Sequence, residues 1–238
     1  MQNLKYKRLL VKLSGEALMG QYDFGIDPQM IAAMAVELEN LQQAGVEIGI
    51  VIGGGNIFRG AGLAKAGLDR VAGDHMGMLA TVMNSIALKD GLEKKGLPVC
   101  VMSGLSMPEV CEPYTQRAAR ARIADGEIVI FAGGTGNPYF TTDTAASLRA
   151  IEIKADLMIK ATKVDGIYDS DPVKNPSATR YEKLTYQQAI DQRLAVMDIT
   201  AMVLCHENDL DMAVCNISEA NAILSLAQGK NLGTRVTN

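Results

Sequence analysis

The 238-residue sequence has no tryptophan, four phenylalanines, seven tyrosines and two histidines. His75 and His206 are isolated from one another and read as packing or surface residues, so a histidine-based acid–base pair has little support. The four cysteines, Cys100, Cys111, Cys205 and Cys215, form no C-x-x-C spacing, which points to buried free thiols and away from zinc and disulfides. Long apolar runs are missing too. The longest uncharged stretch, Ile128–Thr142, covers fifteen residues and is broken by Gly-Gly-Thr-Gly-Asn-Pro, too short to span a bilayer. After the basic start, only Leu9-Leu10-Val11 precede Lys12, so no signal peptide is expected and a cytoplasmic location is. Basic excess is absent as well: 23 Lys plus Arg against 27 Asp plus Glu give −4, unlike a protein that coats nucleic acid.

Familiar phosphate motifs are also lacking. There is no G-x-x-x-x-G-K-[ST], and no V-A-I-K, H-R-D or D-F-G set, which excludes P-loop nucleotidases and protein kinases. The dinucleotide fingerprint fails at Phe58 and at Tyr139, so a dehydrogenase is poorly supported.

What is present is an alternation of short apolar runs with helical patterns. Strands are expected at Arg8–Leu13, Val46–Ile52, Val99–Met102, Ile128–Phe131, Leu157–Ala161 and Met212–Asn216, with Arg235–Thr237 as an edge strand. Helices are expected from Asp27-Pro28 to Gly45, over Asp74–Lys95 through Met76, Leu79, Ala80, Met83 and Ala87, and over Thr115–Ala124. Further helices are expected at Thr142–Ile153, with Thr142 as cap, and near Ile199–Asn208 and Glu219–Gln228. The segment Lys163–Thr179 carries loop chemistry, and the thirteen methionines read as core filler. This order predicts one α/β domain over 1–238, a mostly parallel sheet covered on both faces.

Ligands of such sheets bind beyond the carboxyl ends of strands. Glycine-containing turns stand there at Lys12-Leu13-Ser14-Gly15, Gly53-Gly54-Gly55-Asn56, Gly133–Asn137 and Thr162–Gly166. Small residues let backbone N–H groups approach phosphate oxygens, so four such turns in one chain point to a phosphorylated ligand.

These turns also carry a resemblance. Lys12–Ala17, Gly53–Gly60, Gly73–Thr81, Thr135–Asp143 and Lys160–Tyr168 occur in the order and spacing of the bacterial UMP kinases, and the chain resembles that branch of the amino-acid kinase superfamily. The resemblance implies a three-layer αβα sandwich, the amino-acid kinase fold, with the acceptor held by about 1–150 and ATP by about 151–238. It implies ATP contacts from Lys12, Leu13, Ser14, Gly15, Gly55, Arg59, Thr162, Tyr168 and Asp171. For UMP it implies Gly54, Asp74 and the run Thr135, Gly136, Asn137, Pro138, Tyr139, Phe140, Thr141 and Thr142. Mg²⁺ would accompany ATP, with no dedicated protein metal site.

Phosphoryl transfer is mainly alignment plus cationic stabilisation. Lys12 is therefore expected at the transferring phosphate, Arg59 as a clamp, and Asp143 as the group orienting a lysine or a magnesium-bound water. Either Lys160 or Lys163 would support the leaving ADP. No general base is needed, because the second pKa of a phosphate monoester lies near 6. The resemblance further implies a homohexamer, UTP as inhibitor and GTP as activator, the last calling on Lys89, Lys94, Lys95, Arg117, Arg120 and Arg122. Two competing readings are a kinase of aspartate or carbamate on the same fold, and a non-catalytic nucleotide-binding protein.

Overall fold

The computed structural model describes residues 3–58 and 67–238. In chain order the elements are β1 (Arg8–Leu13), a 3₁₀ turn (Gly15–Leu18), α1 (Pro28–Gln43), β2 (Glu47–Ile52), α2 (Arg70–Glu93), β3 (Val99–Ser103), β4 (Glu112–Pro113), α3 (Gln116–Ala124) and β5 (Ile128–Ala132). They continue with α4 (Thr142–Ile153), β6 (Leu157–Thr162), β7 (Ile167–Tyr168), β8 (Arg180–Tyr181), β9 (Lys183–Thr185), α5 (Tyr186–Asp191), α6 (Ile199–Glu207), β10 (Met212–Asn216), α7 (Ala222–Ala227) and β11 (Thr234–Thr237). Nine strands form one sheet in the order β4-β3-β5-β2-β1-β6-β10-β11-β9, and β7 and β8 form a separate antiparallel pair. Every neighbour in the large sheet is parallel except β10 with β11.

Alternation along the strands divides the core in two. Leu9, Val11, Leu13, Ile48, Ile50 and Ile52 face one side, where α1, α2 and α7 bring Leu38, Leu88 and Leu226. Leu10, Val51, Val129 and Phe131 face the other, where α3 to α6 bring Ile123, Ala146, Tyr186 and Met202. The result is the expected αβα sandwich, with strands buried on both faces.

Three local expectations are corrected. Thr141, not Thr142, caps α4, because its hydroxyl accepts from the N–H groups of Asp143 and Thr144. The strand at the C-terminal end is interior, since β9 pairs with its outer side and takes the edge. The helix α2 starts at Arg70, capped by Asp69, and buries only part of the expected face, Ala80 lying in the core and Ala87 against it. Met78, Thr81, Ser85, Leu88 and Leu92 face inward, whereas Met76, Leu79, Met83 and Ile86 are exposed. Apolar residues surround this helix, so periodicity alone does not choose the core side, and Met76 and Met83 are not core filler. All four cysteines are free and buried, as expected.

Candidate active site

The carboxyl ends of β1 and β6 bring two lysines together. Lys12 and Lys160 are register partners on adjacent parallel strands, so their side chains leave the sheet on the same face. Between them stands Asp143, in the first turn of α4, where the helix start favours a negative charge. Lys12 Nζ is 2.9 Å from Oδ1, and Lys160 Nζ is 2.9 Å from Oδ2 and also donates to the Val196 carbonyl. All three side chains are largely buried. Burial works to raise the Asp143 pKa, but Lys12 and Lys160 outweigh it and hold the carboxyl below its ordinary range. Burial lowers the pKa of Lys160; Asp143 opposes that and Lys12 reinforces it. Lys163 is exposed and stands outside this array, so Lys160 is the lysine the structure brings to it.

Two cavities adjoin the array, Thr142 beside Asp143 lining the first and Lys160 the second. The first, about 380 Å³, is lined by Gly54, Gly55, Asp74, Thr135, Asn137, Phe140, Thr141 and Thr142, among others. The second, about 480 Å³, is lined by Lys160, Thr162, Tyr168, Asp171 and the segment Gln192–Val196. Residues expected at UMP thus gather at the first cavity, and Thr162, Tyr168 and Asp171, expected at ATP, at the second. Gly55, expected near ATP, lines the first. Gly136, Pro138 and Tyr139 belong to the first cavity's loop but not to its lining. Leu13 is buried in the core and its carbonyl accepts from Gly53, which leaves little of it for a ligand. Ser14 caps the 3₁₀ turn, and a Cβ on Gly15 would meet the Gly53 carbonyl at 2.5 Å. Gly54 is equally constrained, since a Cβ there would lie 2.8 Å from that of Ala80. Arg59 lies outside the described residues.

The loop of the first cavity is held from several sides. Asp74 accepts the Tyr139 N–H at 2.7 Å and pairs with Arg70 at 2.8 Å. Burial pulls its pKa upward, but these two contacts prevail and keep the carboxyl ionised. Tyr139 itself has φ of 73°, a left-handed conformation that a bulky side chain seldom adopts. Two anchors escaped the sequence reading. Thr81 accepts the Gly133 N–H at 2.9 Å, and Asp198 accepts from Thr144 at 2.8 Å and from Thr141. Asp198 also caps α6, and an aspartate just before the apolar Ile199 was the available signal.

Comparison with known proteins follows the same outline. The model of the amino acid kinase family matches residues 7–216. The chain belongs to the amino acid kinase family. It is 58% identical over 229 residues to the uridylate kinase of Methylococcus capsulatus, covering 96% of each chain. It is 53% identical over 232 residues to the uridylate kinase of Pseudomonas aeruginosa, covering 98% of this chain and 95% of that one. Among solved structures, the UMP kinase of Bacillus anthracis superposes with a TM-score of 0.94 at 39% identity, covering 98% of this chain and 96% of that one. This amino acid kinase family member therefore shares both sequence and fold with enzymes named for uridylate.

Proposed function

We infer that this protein transfers the γ-phosphoryl group of ATP to UMP, giving ADP and UDP for pyrimidine nucleotide synthesis. The observation that carries the reading is the Lys12–Asp143–Lys160 array beside two cavities, one lined by residues expected at the acceptor and one by Thr162, Tyr168 and Asp171, expected at ATP. An oxygen of the UMP phosphate attacks the γ-phosphorus while the bond to the bridging oxygen of ADP breaks. Lys12 stabilises the charge on the transferring group, Lys160 the charge on the departing ADP, and Asp143 keeps both ammonium groups aimed at the reaction axis. Arg59 acts as the clamp on the phosphates.

Among the described residues no group of three or more His, Cys, Asp or Glu could hold a metal ion. A magnesium ion that arrives on ATP fits this donor set, because it needs only one or two carboxylates besides the phosphates and waters. Asp143, whose oxygens face Lys12 and Lys160, is the carboxylate of the array that would orient a magnesium-bound water. The bound ion would neutralise charge on the ATP phosphates.

The direct test is ADP formation from ATP with UMP, CMP, AMP, aspartate or carbamate as acceptor. UMP is expected to be turned over best; turnover of aspartate but not UMP would overturn the assignment. UTP shares the uridine of UMP, so its inhibition is expected to be relieved by more UMP. Inhibition insensitive to UMP concentration would argue against a shared pocket.

The same proposal includes a homohexamer and a cytoplasmic setting. No described helix is long and apolar enough to cross a membrane. The exposed Met76, Leu79, Met83 and Ile86 follow i, i+3, i+7, i+10 spacing on α2, a seam suited to the same helix of a second copy. Met83→Glu is expected to lower the mass seen by sedimentation; an unchanged assembly would exclude this seam. GTP activation rests on Arg117 and Arg120. The other four cations expected there, Lys89, Lys94, Lys95 and Arg122, each pair with a carboxylate.

A further inference from the structure

Arg149 is a charged residue in the interior of α4, and the phosphoryl-transfer array does not use it. Its side chain is only 5% exposed. Nη1 donates to Glu152 Oε2 at 2.7 Å, and the guanidinium carbon stands 3.7 Å from the centre of the Tyr114 ring. Tyr114 donates its hydroxyl to the same Glu152 oxygen and meets Phe131 edge-on at 5.7 Å. Burial, reinforced by the bond to Glu152, pushes the phenol pKa up, so the hydroxyl remains a donor. A desolvated guanidinium persists only when its donors are held, and here a second one reaches outward.

That donor, Nη2, bonds the Gly134 carbonyl at 3.3 Å. Gly134 opens the loop of the acceptor cavity and has φ of 59°. The peptide linking it to Thr135 is trans, so its C=O and N–H point in opposite directions. Turning the carbonyl toward Arg149 turns the Thr135 N–H away from α4, and Thr135 lines the acceptor cavity. One residue earlier, Thr81 holds the Gly133 N–H, so the two anchors fix the peptides on either side of the one joining Gly133 to Gly134.

We propose that Arg149 is a positioning residue for the acceptor: it sets the Gly134–Thr135 peptide so that the Thr135 N–H is available to an oxygen of the bound nucleotide. The proposal rests on the reading of this cavity as the UMP site. Tyr114 and Glu152 act behind it by fixing the guanidinium plane.

The test is steady-state kinetics with both substrates varied, on wild type, Arg149→Met, Arg149→Lys and Tyr114→Phe, each checked for folding by thermal melting. Arg149→Met is expected to raise KM for UMP about tenfold or more, with KM for ATP within about twofold and kcat little changed. Arg149→Lys, which keeps the charge, should recover part of the loss, and Tyr114→Phe should raise KM for UMP by a smaller factor. If Arg149→Met does not fold, the other two variants decide in the same way. An unchanged KM for UMP, or equal rises for UMP and ATP, would overturn the proposal while wild-type UMP turnover leaves the functional reading standing. Absence of UMP turnover by the wild type would overturn both.

Discussion

Replacing Lys12 with alanine is expected to lower kcat by about 10²–10³, the usual cost of removing one preorganised group that stabilises charge in a transition state. KM for UMP should move far less, because Lys12 lines neither cavity and touches Asp143 instead. The substitution also disturbs the array itself. Asp143 loses one of the two cations that hold its pKa down, so its carboxyl moves back toward the ordinary range. A carboxyl lowered by folding contributes stability above its unfolded pKa and loses it as pH falls through the folded value. The variant should therefore melt lower than wild type at pH 7, and the gap should narrow as the pH drops below the carboxylate range. A kcat within about threefold of wild type would remove Lys12 from the catalytic set.

Asp74→Ala is expected to act at the first cavity. Hydrogen bonds to charged groups contribute about 1.5–3 kcal/mol, so KM for UMP should rise about 10- to 100-fold with KM for ATP nearly unchanged. Part of the loss comes from the ligand and part from the loop, since the Tyr139 N–H would lose its acceptor. Isothermal titration with each nucleotide separates the two sites. Weaker ATP binding with UMP binding intact would mean that the cavities are assigned the wrong way round.

The first half of the fold was legible because local signals and burial agree there. Arg8–Leu13 is an apolar run interrupted only by Arg8 and Lys12, and it forms β1 with those bounds. Asp27-Pro28 starts α1 as capping chemistry dictates. At Thr141-Thr142 either hydroxyl could cap, and only the tertiary position of Asp198, which accepts from Thr141, distinguishes them. The segment over 180–192 was missed: β8 and β9 are two and three residues long, below what alternation can reveal. Within the site, Lys12 and Asp143 stood at a strand end and a helix start and could be named, whereas Lys160 and Lys163 are told apart only by the pairing of Lys160 with Asp143. Thr81 and Arg149 could not be assigned roles, because each acts through one backbone bond to a loop distant in sequence.

The place of β1 in the sheet has a consequence for the nascent chain. Leu9, Leu10 and Val11 are fully buried between β2 and β6, yet β6 lies far downstream in the sequence. Translation at about 5–20 residues per second leaves that edge without its second partner for on the order of ten seconds. Lys12 emerges well before Lys160, which arrives only with β6. Until β6 emerges the chain on the ribosome thus carries Lys12 beside an open apolar seam, and the seam closes in the same event that delivers the second lysine.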